Sequence, residues 1–161
     1  MKHSYLLPAG LSFFIISLLI GCKQPEQYFK VAGILHTPYQ IQFCYTESLE
    51  DEIHAELQRY YHCLNPFDST SVISQVNRNK DIEVDDLFVE VFNKAKEVSE
   101  QTNGIYDITC APFINLWGFG FSKNDSVTPA MIDSIRAFVG YQKIRLEGKK
   151  VIKDDPRILL N

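Results

Sequence analysis

Residues 104–121 (GIYDITCAPFINLWGFGF) combine aromatic side chains with glycine, an arrangement that could bind a flat ligand. Glycine lets the backbone approach a neighbouring molecule closely, and aromatic rings offer flat apolar faces to a ring-shaped ligand. The same composition also suits a loop that fills the hydrophobic core, and composition alone favours that interpretation. The rings belong to Tyr106, Phe113, Trp117, Phe119 and Phe121.

Polar side chains in two segments could bind a ligand or stabilise their own turns. Asp107 lies two residues before Thr109, so its carboxylate could bind a ligand hydroxyl or amide, or could accept hydrogen bonds within an Asx-type turn. The sequence leaves both alternatives open. Residues 67–71 (FDSTS), followed by Ser74 and Asn77, are rich in small groups that could hold a phosphate. Such groups more often satisfy the local backbone, and we expect that here.

The histidines and the glycines outside this segment do not indicate a reaction class. His54 and His62 lie eight positions apart on a predicted helix, too far for an HExxH-type pair, and His36 stands alone. The sequence contains neither a P-loop nor a GxGxxG motif.

Composition and charge restrict the class of protein. Of 161 residues, 45% are hydrophobic and 22% are charged, the balance of a globular domain with a hydrophobic core. The formal net charge of −4 argues against a nucleic-acid partner, because phosphate binding requires a basic surface. Residues 22–161 suit a single domain in length.

The first 22 residues have the pattern of a bacterial lipoprotein signal. Lys2 precedes an almost wholly apolar run over residues 11–20, which is shorter than the ~20 residues that a bilayer span requires. The sequence that ends at Cys22 (LIGC) resembles the lipobox, in which the thiol is lipidated before cleavage. We therefore expect residues 1–21 to be a signal peptide and Cys22 to hold the protein on the periplasmic side of a membrane. Lys23 slightly favours the outer membrane, and an uncleaved anchor helix is the alternative.

Lipidation of Cys22 would leave an odd number of cysteines, namely Cys44, Cys63 and Cys110. One disulfide could form among them, but their spacing indicates no paired framework. We expect buried free thiols.

The hydrophobic pattern predicts an α+β fold around these segments. Residues 23–30 predict a polar tether, and residues 33–45 alternate as a strand. Residues 67–80 predict an ordered loop with a short helical turn. Helices are predicted over residues 49–64, over residues 85–102 with Asn103-Gly104 as the stop, and from Thr128-Pro129 to about residue 140.

Two further strands are predicted near the C-terminus as a hairpin, over residues 143–146 and 150–153. Residues 157–160 predict the start of another strand. The sequence ends inside that strand, which would leave an open edge, so we expect it to be part of a longer domain.

Four short motifs occur in the order and spacing of a known family. Residues 36–39 (HTPY) lie where the family usually has Gly-Thr, and residues 71–77 (SVISQVN) follow the first helix. Residues 102–109 (TNGIYDIT) resemble T-x-G-x-F-D-x-T, and residues 112–120 (PFINLWGFG) resemble P-x-x-x-L-W-G-F-G. By these motifs the chain resembles the ApbE family, the FAD:protein FMN transferases, from about residue 33 onward.

The resemblance implies an ApbE-like, T-fold-related domain with a mixed sheet and packed helices over residues 33–161, truncated at its C-terminal side. Residues 22–32 would tether it to the lipid. Such enzymes cleave FAD between its phosphates, attach FMN to a Thr or Ser of a target flavoprotein and release AMP, with Mg²⁺ assisting. The implied target is a subunit of a membrane redox complex.

The resemblance also implies which residues contact FAD. Leu35 matches a position that is often Met, Phe67 one that is commonly Tyr, and Tyr106 replaces the usual Phe. The bulky His36 replaces a glycine where the backbone approaches the flavin. The matching positions are Leu35, Phe67, Ile105, Tyr106 and Asp107.

The family's lysine-bearing G-x-x-A-K-G motif and its metal-binding Asp and Thr would follow residue 161. We therefore expect this chain alone neither to hold the metal nor to transfer FMN. The alternatives are a non-catalytic FAD-binding lipoprotein and a structural lipoprotein whose aromatic loop is only core.

Overall fold

A computed structural model describes residues 26–35, 37–121 and 126–161. The contacts divide the chain into two compact units, Met1–Glu50 and Asp51–Asn161, and each is described by itself. The predicted signal peptide, the lipidation site at Cys22 and the substitution at His36 lie outside the described residues.

The first unit contains an antiparallel pair, β1 (Gln27–Leu35) and β2 (Thr37–Tyr45). The register runs from Gln27 opposite Tyr45 to Leu35 opposite Thr37. The prediction of a tether up to residue 32 and of a single strand over residues 33–45 was wrong. Exposed residues alternate with more buried ones from Tyr28 to Leu35, and the two segments pair with each other along their whole length.

The packing of side chains on one face of this pair explains why a glycine occupies position 33. The rings of Phe29 and Phe43 stack at a centroid distance of 5.5 Å. Gly33 lies opposite Tyr39, and a Cβ at Gly33 would lie 2.6 Å from the Tyr39 hydroxyl oxygen. Glycine therefore allows the Tyr39 ring to cross the neighbouring strand.

The described residues of the second unit form helices and one hairpin. None of the helices in residues 26–35, 37–121 and 126–161 has the length and apolar character needed to cross a membrane. The elements are α1 (Glu50–Leu64), which begins at the unit boundary, α2 (Val72–Asn77), α3 (Asp86–Gln101), α4 (Ala111–Leu116), α5 (Pro129–Arg136), a 3₁₀ turn (Tyr141–Lys143), β3 (Ile144–Glu147) and β4 (Lys150–Lys153).

Capping side chains set the starts of two helices. The Asp85 carboxylate accepts a hydrogen bond from the Phe88 amide at 2.8 Å and caps α3. Thr128 caps α5 in the same way, through the Met131 amide at 3.3 Å. This helix ends at Arg136, earlier than predicted. The amides of Phe138 and Val139 bond to carbonyls only three residues earlier, and Gly140, with a φ of 143°, then turns the chain away from the helix axis.

The core of the second unit lies between α3, the hairpin and the C-terminal segment. Its centre is formed by the side chains of Cys63, Ile73, Val76, Val84, Leu87, Phe88, Phe92, Ala95, Ile108, Ile144, Ile158 and Leu160. The α+β class is therefore confirmed. The strands in the described residues form two separate antiparallel pairs, so no mixed sheet is seen in this part of the chain.

Ile158 and Leu160 are buried, but residues 157–160 do not form a strand, so this prediction was wrong. The Ile158 amide donates within a turn to the Asp155 carbonyl oxygen. The Leu160 amide and carbonyl both bond to the Asn77 side chain, at 2.8 and 2.9 Å. Because α2 supplies these partners through a side chain, the apolar segment is satisfied without strand pairing.

Asn77→Ala is expected to lower the free energy of unfolding by about 1–3 kcal/mol, because both backbone groups of the buried Leu160 lose their partner. Urea unfolding followed by circular dichroism measures this change. Gln75→Ala on the same helix removes an exposed hydrogen bond to Thr70 and is the control, with an expected change within about 0.5 kcal/mol. Equal effects of the two substitutions would contradict the prediction.

Candidate functional site

Two neighbouring cavities of the second unit share the chain segment Leu160 and Asn161 as part of their walls. The first has a volume of about 200 Å³ and the second about 140 Å³. The first is lined mainly by Phe67, Asn77, Arg78, Ile114, Asn115 and Phe121. The second is lined mainly by Leu64, Phe88, Phe92, Tyr106 and Ile108.

The aromatic loop after α4 begins with a glycine-terminated helix end. The amides of Gly118 and Phe119 bond to the carbonyls of Asn115 and Ile114, and Gly118 has a φ of 80°. This is a Schellman-type end, in which glycine takes the left-handed conformation without steric cost.

A second glycine brings this loop back against α4. The Asn115 side-chain oxygen accepts the Phe121 amide at 3.0 Å, and a Cβ at Gly120 would overlap that oxygen at 1.9 Å. Glycine at this position therefore lets the chain turn closely enough to present Phe121 at the first cavity.

The rings of this loop point outward. Trp117, Phe119 and Phe121 are 56, 81 and 68% exposed. The interpretation of these residues as core filling, which composition favoured, is therefore wrong for the three rings. An exposed apolar surface of this kind is typical of a binding site.

Phe67 faces the first cavity beside this loop. Asn65-Pro66 ends α1, and the Asn65 side-chain oxygen accepts the Phe67 amide at 3.0 Å. More than half of the Phe67 ring is exposed, and its centroid lies 5.1 Å from that of Phe121. The turn thus places the ring predicted from the resemblance next to one that the sequence had not assigned to the site.

The polar side chains between Asp68 and Ser74 satisfy the local backbone, as expected, whereas the Asn77 side chain bonds to Leu160. The Asp68 carboxylate accepts the Thr70 amide and hydroxyl at 2.8 and 2.7 Å. The Ser71 hydroxyl donates to the Asn65 carbonyl and caps α2 through the Ser74 amide. These bonds hold the loop in a fixed shape.

Residues 102–109 form a turn that exposes two of the predicted contact residues. Asn103 and Gly104 have φ values of 51° and 81° and stop α3, as predicted. The Thr102 hydroxyl accepts the Tyr106 amide at 3.2 Å. Ile105 is 92% exposed, and nearly half of Tyr106 is exposed.

Asp107 forms the Asx-type turn that was one of its two alternatives. One carboxylate oxygen accepts the Thr109 amide at 2.8 Å and the Thr109 hydroxyl at 2.6 Å. The other oxygen accepts the Tyr141 amide at 2.9 Å.

Burial, reinforced by the charges of Cys110 and Asp107, raises the pKa of the Tyr106 phenol, which stays neutral near pH 7.

The structure therefore groups some of the predicted residues. Phe67 lies with Phe121 at the first cavity, and Tyr106 lies at the second, which shares Leu160 and Asn161 with the first. Leu35 lies at the end of β1 in the first unit, and its role stays a prediction. Phe121 could have been assigned from the alternation of glycine and aromatic residues in GFGF.

The described residues contain no group of three or more His, Cys, Asp or Glu side chains that could hold a metal ion. Cys44, Cys63 and Cys110 are free thiols, as expected, but only Cys63 is buried. Cys44 lies on the outward face of β2, where alternation exposes it.

In the folded chain, iodoacetamide at pH 8 is expected to modify Cys44 quickly and Cys63 hardly at all. Burial raises the pKa of the Cys63 thiol to about 12, with a further contribution from the Asp85 carboxylate 3.5 Å away. Mass-spectrometric peptide mapping measures each site, and modification in urea is the control for intrinsic reactivity. Similar rates at the two thiols in the native state would contradict the structure.

The model of the ApbE family matches residues 35–161. The chain is 26% identical over 156 residues to the FAD:protein FMN transferase of Vibrio cholerae, which covers 89% of the chain and 47% of the relative. It is 27% identical over 146 residues to that of Haemophilus influenzae, which covers 82% and 42%.

Solved structures show the same fold. The flavin transferase ApbE from Vibrio cholerae superposes with a TM-score of 0.76 at 24% identity, over 85% of this chain and 48% of that one. The Pseudomonas stutzeri flavinyl transferase ApbE in its apo form gives a TM-score of 0.72 at 21% identity. The chain spans about half the length of the curated relatives it matches. From the match over residues 35–161, the chain belongs to the ApbE family.

Proposed function

We propose that this chain supplies flavin-contacting residues of an FAD:protein FMN transferase. The observation that carries the proposal is the exposed aromatic surface of Phe67, Tyr106 and Phe121 beside the two cavities. The relatives named above carry this activity in their names. Their activity favours transfer over passive FAD binding.

The isoalloxazine ring of FAD is flat and aromatic, so its faces suit the ring pair of Phe67 and Phe121. Aromatic faces bind such rings by offset stacking. Arg78 lines the same cavity and offers a cationic group to the FAD diphosphate. The exposed Ile105 and the ring of Tyr106 add apolar contact from the neighbouring turn.

In the proposed reaction, a Thr or Ser hydroxyl of the target flavoprotein attacks the phosphorus on the FMN side of FAD. A new P–O bond forms to the hydroxyl oxygen, the bond to AMP breaks, and the hydroxyl proton is lost. Mg²⁺ would offset charge on the diphosphate. We place its ligands outside the described residues, as the resemblance to the family implies.

Two assays on the 161-residue chain test this function. Equilibrium titration followed by flavin fluorescence is expected to show saturable binding of FAD and FMN. Incubation with FAD, Mg²⁺ and a target domain that carries an acceptor Thr is expected to leave the target unlabelled, whereas the Vibrio cholerae transferase labels it. Absence of flavin binding would refute the proposed site. Labelling of the target by the chain would show that transfer does not require the half of the relatives' length that the chain does not cover.

We further propose that the protein is lipid-anchored through Cys22 on the periplasmic side of a membrane, beside a membrane redox complex that receives the flavin. The sequence around Cys22 supports this proposal. In a bacterial host, Cys22→Ser is expected to abolish incorporation of labelled fatty acid and to release the protein from the membrane fraction. Cys44→Ser is the matched control, and equal labelling of both variants would argue against an anchor at Cys22.

A further inference from the structure

Asp107 and Thr109 are joined to each other by two hydrogen bonds and hold a distant part of the chain through two more, and we call these four bonds the latch. Asp107 accepts the amide and hydroxyl of Thr109 on one oxygen and the Tyr141 amide on the other. The Thr109 hydroxyl in turn accepts the Gly140 amide at 2.7 Å. The two side chains thereby satisfy two consecutive backbone amides, those of Gly140 and Tyr141.

The backbone at Gly140 is shaped for the latch. Its φ of 143° lies in a region that side chains disfavour, and glycine adopts it without steric cost. In this conformation both consecutive amides point to the Asp107–Thr109 pair. Lys96 holds the other side of the same turn through the Tyr141 carbonyl at 2.7 Å. The turn after α5 is therefore fixed from both sides.

The latch also determines where the exposed contact residues lie. Ile105 and Tyr106 project from the turn after α3, so their position depends on the backbone that carries them. On the N-terminal side this backbone is held by the Thr102 hydroxyl. On the C-terminal side it is held by Asp107. If the latch were lost, the backbone segment that carries the Tyr106 ring would be held only on its N-terminal side.

We propose that Asp107 is a positioning residue for the flavin rather than a residue that binds it through its carboxylate. Its two oxygens already accept three hydrogen bonds from within the protein, and these bonds fix the carboxylate in place. Thr109 is fully buried and cannot touch a ligand, yet it completes the same network. The proposal rests on the flavin site proposed above. It assigns contact with FAD to Tyr106 and Ile105, and assigns their preorganisation to Asp107 and Thr109.

Two measurements on the 161-residue chain test this role: FAD affinity, and hydrogen exchange of the Gly140 and Tyr141 amides without ligand. Asp107→Asn and Thr109→Val are each expected to speed exchange at these amides and to weaken FAD binding about tenfold, the scale of one lost hydrogen bond. Thr109→Ser keeps the hydroxyl and is the matched control, with both values near those of the natural chain. The double variant is expected to be little worse than either single one, because both open the same latch.

FAD affinity of the folded protein is a quantity that lower global stability alone does not change. Unchanged FAD binding in Thr109→Val, with weaker binding in Asp107→Asn, would show direct contact with Asp107 and overturn the proposal. So would normal amide exchange in Asp107→Asn, which decides the matter even if Thr109→Val fails to fold. Slow exchange at both amides in a natural chain that binds no FAD would instead reject the flavin site, and the positioning role with it.

Discussion

Ile158→Ala is expected to lower the free energy of unfolding by about 2–5 kcal/mol. The Ile158 side chain is 0% exposed and belongs to the core of the second unit together with Ile144 on β3 and Phe88 on α3. Truncation removes buried apolar surface and leaves a cavity, and Lys153, which donates to the Ile158 carbonyl at 3.0 Å, limits collapse of the segment. Urea unfolding followed by circular dichroism measures the change.

The matched control is Ile105→Ala, in the same unit but on the surface. Since Ile105 is almost fully exposed, its truncation is expected to change the free energy of unfolding by no more than about 0.5 kcal/mol. A loss below about 1 kcal/mol for Ile158→Ala would show that the C-terminal segment does not contribute to the core.

Phe67→Ala is expected to weaken FAD binding about tenfold. Removal of a ring that stacks on a flat heterocycle costs ~1–3 kcal/mol in nucleic-acid complexes, and a factor of ten corresponds to about 1.4 kcal/mol. Phe67 also packs against Phe121 at 5.1 Å, so its loss leaves the second ring less well ordered. Isothermal titration calorimetry of FAD into each variant measures the affinity.

Two controls separate the ring at the site from aromatic content in general. Phe67→Tyr keeps the aromatic ring and adds only a hydroxyl, so affinity is expected to remain within about twofold. Tyr60→Ala removes a partly exposed ring on α1 that lines neither cavity, and should leave FAD binding unchanged. An equal loss in Tyr60→Ala would contradict the assignment of Phe67.

The helices of the second unit follow from local signals. Asp85 and Thr128 begin helices, and Asn103-Gly104 ends one, because caps depend on residues close in sequence. The strand over residues 27–35 was missed because polar residues lie immediately before it and because it is defined by its pairing with residues 37–45. Residues 157–160 have a strand-like composition, but the side chain of Asn77, 83 positions earlier, replaces strand pairing.

The site was accessible from the sequence only in part. The motif at residues 102–109 located the turn, but the choice between ligand contact and a turn role for Asp107 depends on Tyr141, 34 positions later. The composition of residues 117–121 could not distinguish core from surface. The Schellman end at Gly118 and the contact of Gly120 with Asn115 turn these rings outward.

The most direct test of the flavin site is an amide chemical-shift map of the ¹⁵N-labelled 161-residue chain during titration with FMN. The largest shifts are predicted at Phe67, Tyr106 and Phe121, on the walls of the two neighbouring cavities. Shifts centred instead on the lysine-rich groove around Lys80 and Lys150, or no saturable shifts at all, would contradict the account.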